Sequence, residues 1–286
     1  MTTALLVAFV LAVFRISVPY VLAAVGGTLS ERAGVVALGL EGMLLTGAFC
    51  AAVGAEAGGP AVGALAGAMG GAGVGVILAA CVVYGRADGV VVGVAINLIA
   101  LGGTRVAMQY VWQSASSSPT IPGLSGGWAG AAGLAALAVS GVAAAALTRT
   151  AWGLRVRAVG EHPAAATSLG IDVAQLRFGA VALSGALAGL GGAWLALDNH
   201  GFVDRMSGGR GYIALAAVIM GRWHPGFAAL AAVCFAATEA AQLQLQAVVS
   251  GGAREFIQML PYLLTLVALA GVLGRSRPPA ALGRNV

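Results

Sequence analysis

Residues 57–85 read AGGPAVGALAGAMGGAGVGVILAACVVYG, with no charged side chain between Glu56 and Arg86. A helix needs about 20 predominantly apolar residues to cross the hydrocarbon core, and this run is long enough. Three more charge-free runs, Val106–Thr148, Phe178–Leu197 and Phe256–Gly274, repeat the pattern. Over 286 residues the chain is 59% hydrophobic and 9% charged, where a soluble domain carries about 25% charged residues. Its mean hydropathy is +0.94. These figures exclude a water-soluble globule, a disordered tail and a nucleic-acid-binding domain. The chain reads as all-α, a polytopic membrane protein with a single transmembrane domain over 1–286.

All 15 basic residues are arginine, and the net charge is +5. A pI of 9.6 would suggest nucleic acid for a soluble protein. Here the arginines fall mostly in short loops and speak of topology. Cys50, Cys81 and Cys234 sit singly in apolar stretches, with no CxxC or Cys/His spacing. Neither a metal site nor a disulfide framework is expected from them. Ala4–Phe14 has no basic region ahead of it, and the apolar character resumes after Arg15. It is predicted to be a retained first helix rather than a signal peptide. The tail from Arg275 to Val286 reads as too short to fold.

Charge, Pro and clustered small polar residues mark the connections. Helices are predicted at about 4–29, 35–54, 60–84, 90–112, 128–148, 175–197, 211–222, 227–248 and 256–274. That gives about 8–9 transmembrane or half-spanning elements, and 211–222 is too short to span. Half-helices of this kind are tolerated where backbone lines a cavity. Arg149, Arg155, Arg157 and Arg177 concentrate around the polar segment 149–174, and Arg275, Arg277 and Arg284 in the tail. Both are expected to be cytoplasmic. The uncharged stretch Gln113–Gly127 suits the outer face, and helix count then puts the N-terminus outside. Gly34-Val35-Val36-Ala37-Leu38 is echoed by Gly211-Tyr212-Ile213-Ala214-Leu215, each after an arginine-bearing loop. Each continues through a Met (Met43, Met220) to a Gly/Pro break. The echo suggests a broken-helix, pseudo-symmetric core.

Gly63, Gly67, Gly71 and Gly75 form a four-residue ladder, and Gly185 and Gly189 repeat the spacing. Helices in lipid associate through close backbone approach at small residues, so these are packing positions rather than a phosphate cradle. Without Lys the chain has no P-loop, and any ATP must be hydrolysed by another polypeptide. Intramembrane polar groups are costly unless paired or wet, which makes them candidates for a substrate path. Glu41 is either a ligand-contacting carboxylate at a broken helix or an ion-pair or helix-cap group, with Arg32 as a partner. Asn97 either meets a hydroxylated or heterocyclic solute or bonds across helices. Asp198-Asn199-His200 closes the helix that carries Trp194, and Phe202 follows. That set fits a sugar hydroxyl or a stacked base, or is a solvated outer loop. Glu239 and Gln242, three apart on one helix, read as a buried polar seam. No hydrolytic triad, metal cluster or paired-carboxylate site is legible, so an enzyme is not expected. In the 149–174 segment, Pro163 suits a first helical turn and Gly170 a cap, which bounds a short helix over Ala164–Leu169. Such a helix is either a partner's handle or a solvated connector.

Several motifs together resemble a known family. They are Ser30-Glu31-Arg32-Ala33-Gly34-Val35-Val36, then Leu38-Gly39-Leu40-Glu41-Gly42-Met43, and Arg86-Ala87-Asp88 before Gly93–Leu98. Gly160-Glu161-His162-Pro163 and Gly209–Ala217 leading to Gly221-Arg222-Trp223-His224-Pro225 complete the set. The pattern is similar to permease subunits of bacterial ABC importers, the branched-chain amino acid, ribose-type sugar and nucleoside group, from about residue 17 to residue 283. Glu-Gly-Met and Gly-Arg-Trp-His-Pro look like the nucleoside-type branch.

The resemblance implies a multi-pass subunit of the cell membrane that binds no cofactor itself, with ATP and Mg on a partner ATP-binding cassette ATPase. It also implies a second, homologous but non-identical permease and an extracytoplasmic solute-binding protein. Coupling to the ATPase would run through Gly160, Glu161, His162, Pro163, Ala164, Ala165, Ala166 and Gly170, although the family's fuller Glu-Ala-Ala…Gly loop is matched only loosely. The small face of Ala164–Ala166 would sit in a groove of the ATPase. The solute path would pass near Glu41, Asn97 and the 198–211 loop. The expected solute is a nucleoside or related small polar molecule. The alternatives are a ribose- or galactose-type sugar, or a stand-alone ion-coupled carrier.

Overall fold

The computed structural model describes residues 2–124, 129–248 and 277–284, together with 257, 259 and 263. The helix expected at 256–274 lies outside these segments apart from those isolated residues. The described residues form ten α-helices in order: α1 (Thr2–Arg32), α2 (Leu40–Gly58), α3 (Pro60–Ala79), α4 (Gly89–Trp112), α5 (Ala129–Arg149), α6 (Ala151–Glu161), α7 (Pro163–Ser168), α8 (Val173–Asp198), α9 (Arg210–Met220) and α10 (Pro225–Val248). Among the described residues, α1 to α5, α8 and α10 are long and apolar enough to cross a membrane, and α9 is the short element.

Local chemistry explains five of the helix starts. Pro60 and Pro163 open α3 and α7, where a missing N–H costs nothing. Asp88, Thr150 and Asp172 cap α4, α6 and α8 by accepting backbone N–H groups of the first turn. Two expectations need correction. The segment 149–174 is largely helical, because the Thr150 cap starts α6 and Gly153, Val156, Val159 and Gly160 give it a buried stripe among the arginines. And α2 begins at Leu40 rather than 35, because the backbone of 34–38 is held outside a helical ladder: the Gly34 and Val35 N–H groups turn back to the Glu31 and Ser30 carbonyls, and Val35 O, Ala37 N–H and Leu38 O bond to side chains.

The centre is a sandwich of α2, α3 and α8 closed through glycine. A Cβ added at Gly71 would collide with the Gly185 carbonyl and with Gly189, and one at Gly75 would come within 2.8 Å of the Val181 carbonyl. Gly67 faces Ala193 and the Gly47 carbonyl, and Gly63 faces Ala51 and Ala55. The ladder therefore packs inside the protomer. α1 crosses behind this sandwich with Tyr20–Val25 buried.

The bundle has two distinct ends. At one, the stretch after α4 packs on the stretch after α8: Ser118 N–H donates to Phe202 O (2.8 Å), Ile121 N–H to His200 O (3.0 Å), and Ser117 bridges Val203. At the other, residues 277–284 form an ordered turn rather than a loose tail. Gly283 N–H donates to Gly34 O (3.0 Å), and Ala281 N–H to Gly160 O (2.9 Å). Arg177 Nη1 donates to Arg284 O (3.2 Å), and Ala280 N–H to the Glu161 carboxylate (3.2 Å). The turn is held because helix breaks leave those carbonyls open.

Candidate functional site

Three breaks interrupt the helices: residues 33–39, 199–209 and 221–224. Backbone groups inside a membrane must find partners within the protein. At the first break, Ser30 Oγ donates to Val35 O (2.9 Å) and Ala37 N–H donates to the Glu31 carboxylate (3.2 Å). Asn97 Nδ2 donates to Leu38 O (2.8 Å), and Arg177 Nε to Ala33 O (3.1 Å). The third break is tied to the first. The Trp223 indole N–H donates to Glu31 Oε2 (2.5 Å), and Arg32 Nε donates to Trp223 O (2.6 Å).

Glu41 lies in the first turn of α2 and reaches across to the start of α9. Its carboxylate accepts from Ser207 Oγ (2.6 Å), Gly209 N–H (2.8 Å) and Gly211 N–H (2.7 Å). One negative charge thus serves the positive ends of two helices. Gly211 permits the approach, since a Cβ there would strike the Glu41 backbone N. The helix-cap role holds for α9, while the Arg32 pairing does not form: Arg32 bonds the carbonyls of Trp223 and Arg222. Asn97 is buried, accepts from Gly42 N–H (2.8 Å), and donates to Tyr212 Oη (3.0 Å) as well as to Leu38 O. Glu41 and Asn97 together knot α2, α4 and α9.

Nearer the end that carries Phe202, the expected set divides. Trp194 and Asn199 line a cavity of about 560 Å³ with Arg15, Asp198, Arg210 and Glu239, a volume within the ~300–1,000 Å³ range of small-molecule sites. His200 and Phe202 do not line it. His200 is exposed, with φ +53°, and Phe202 is fully buried edge-on to Phe49, ring centres 5.6 Å apart. Trp194 Nε1 donates to Arg15 O (3.0 Å) and Asn199 Nδ2 to Leu195 O (2.9 Å), so both also brace the cavity wall. Arg15 pairs with Asp198 at 2.7 Å. Glu239 accepts from Arg210 Nη2 (2.5 Å) and Tyr20 Oη (2.6 Å). Of the polar seam expected at Glu239 and Gln242, the structure shows Glu239 bonded to Arg210 and Tyr20 at a part-buried site. Nothing in the spacing of residues 20, 210 and 239 announces that they meet.

On the opposite end, α7 ends at a Leu169 cap, and Gly170 takes φ +75°. Ala164, Ala165, Ser168 and Leu169 form its outward face, Leu169 being 80% exposed. Ala166 is 2% exposed and faces the chain's own interior. It is a packing residue, and the accessible face lies beside it. Gly160 is equally internal, since a Cβ there would strike the Arg32 carbonyl.

Known proteins are similar to this chain in sequence. Residues 9–269 match the family described as branched-chain amino acid transport system / permease component. The chain is 35% identical over 295 residues to the guanosine ABC transporter permease protein NupQ of Bacillus subtilis, covering 93% of this chain and 92% of that protein. It is 35% identical over 300 residues to the nucleoside ABC transporter permease protein NupC of Lactococcus lactis, covering 94% and 93%. To the putative glucose ABC transporter permease protein TsgC13 of Haloferax volcanii it is 32% identical over 242 residues, covering 79% and 74%. No solved structure matches. With a family match across most of its length and relatives covered nearly end to end, the chain belongs to the branched-chain amino acid transport system permease component family.

Proposed function

We infer that this chain is the membrane-spanning permease subunit of an ATP-driven importer of nucleosides. The carrying observation is its 35% identity, over 93% and 94% of its length, to permeases named for guanosine and for nucleosides. ATP is hydrolysed by a cassette ATPase that grips the outward face of α7. A second, non-identical permease completes the path, and an extracytoplasmic binding protein delivers the solute. The end that carries Arg149, Arg155, Arg157 and residues 277–284 faces the cytoplasm, in keeping with its positive charge. The Glu41–Asn97 knot suits a moving part, because side-chain bonds across a break can be exchanged without unwinding a helix. Trp194 and Asn199, on the cavity with Arg210 and Glu239, are the contacts nearest an entering solute.

Reconstitution with the cognate ATPase, second permease and binding protein in lipid vesicles tests this. The expected outcome is ATP-dependent uptake of labelled guanosine, competed by other nucleosides and not by glucose. Preferential glucose uptake would favour the sugar reading, which the similarity to the Haloferax volcanii protein supports. Uptake by this chain alone, driven by an ion gradient, would overturn the ATP-driven assignment.

A further inference from the structure

Arg105 is the one charged residue of α4, and it is exposed. Among the described residues no hydrogen bond or ion pair engages it. It lies about 24 Å along the helix from Gly89 and about 10 Å short of Trp112, at a rise of 1.5 Å per residue. That depth is inside the hydrocarbon layer. Side chains on a helix lean toward its N-terminus, so Arg105 leans away from the nearer end of α4, and reaching the headgroups there is opposed by geometry. A lone guanidinium facing acyl chains is costly, and intramembrane charges are found facing water-filled cavities or partners. No neighbouring element of the chain covers it: Gly102 and Gly103 beside it are exposed, and a Cβ added at either would touch nothing. Gln109, one turn further, is also exposed. By contrast, the exposed face of α3 carries only apolar and small residues, as does that of α5 up to Thr148. Those faces suit lipid, whereas the exposed face of α4 sets Arg105 and Gln109 among the apolar Leu98, Val106 and Tyr110.

We propose that Arg105 lines a water-filled solute path that the second permease closes from the other side, where its fixed positive charge passes uncharged nucleosides and repels cations. The proposal rests on the importer assignment above. An arginine in a pore wall is a known kind of electrostatic barrier to protons and cations. It leaves neutral solutes with donors to meet and no opposing charge.

The test uses the complete importer in sealed vesicles. In a background with Cys50, Cys81 and Cys234 replaced by Ala, Arg105→Cys and Gln109→Cys are each exposed to a membrane-impermeant thiosulfonate. Both should react at least about 100-fold faster than Val142→Cys on α5, because only a thiolate reacts and a thiol in lipid stays protonated. Equal rates at all three positions would overturn the water path. Separately, Arg105→Ala should raise proton leak through the assembled complex by about tenfold, while Arg105→Lys keeps it low. An unchanged leak in Arg105→Ala would overturn the barrier role. Neither readout requires nucleoside uptake, so failure of the unmodified importer to carry guanosine would remove the assigned solute and leave these results standing.

Discussion

Glu41 shows how much one carboxylate holds together. Three donors from the α8–α9 connection and the start of α9 converge on it, so truncation takes the carboxylate from all three at a part-buried joint. Each buried group left unsatisfied costs about 1–3 kcal/mol, and Glu41→Ala is expected to lower stability by about 2–4 kcal/mol once partial relaxation is allowed. Glu41→Gln keeps an acceptor and should fall between. Thermal unfolding of the chain in lipid nanodiscs checks the order. Equal melting temperatures for Ala and Gln would show that the cap carries no energy. That Glu41 is a polar joint was legible in the sequence from its flanking glycines. Its partners were not, because they arrive from residues 207–211, and no local pattern links those positions to 41. The same holds for Glu31, whose bond to Trp223 spans most of the chain.

Among elements, the α3–α8 contact and α7 make opposite demands on side-chain size. At Gly71, helix backbones meet so closely that a Cβ would overlap the Gly185 carbonyl and Gly189, whereas two residues on, Gly73 faces open space. Gly71→Leu should abolish the monodisperse chain on size-exclusion chromatography, and Gly73→Leu should leave it intact. A matching loss at both positions would mean that helix lipid solubility, not backbone approach, sets tolerance. On α7, Leu169→Glu places a charge on the accessible face and should weaken ATPase binding at least about tenfold with little change in melting temperature, the cost of a charge at an apolar contact. Ala166→Glu buries a carboxylate within the chain and should instead destabilise the permease itself. Pull-down and thermal melts on the same two variants separate the effects. Long apolar helices were readable because charge-free runs and prolines bound them: α3, α4 and α10 start within two residues of expectation. α6 was not, since about three turns of mixed Arg and Val look like a loop until their buried stripe is seen.

Across the whole molecule, the predicted internal echo survives only in part. Gly34–Leu38 is a non-helical link ahead of α2, while Gly211–Leu215 is already helix. What the two regions share is position, for the N-termini of α2 and α9 meet at Glu41. The positive-charge pattern did foretell that residues 277–284 and the α6–α7 segment share one end, but not that they bond to each other. Gly283 sits at φ +72° with its N–H on Gly34. Gly283→Val is strained there by about 1–2 kcal/mol and should speed amide hydrogen exchange at 33–39 and at 160–161 while leaving α3 unchanged; uniform exchange across all three would deny the turn any local role. That bond also sets an order of events during biogenesis. Gly34 and Gly283 are about 250 residues apart, and contacts of such separation form only after the entropy of the intervening chain has been spent. The first helix break therefore waits, with its Gly34 carbonyl unsealed, until the translocon has released every span between them. Closure of that seam marks the moment at which insertion is complete.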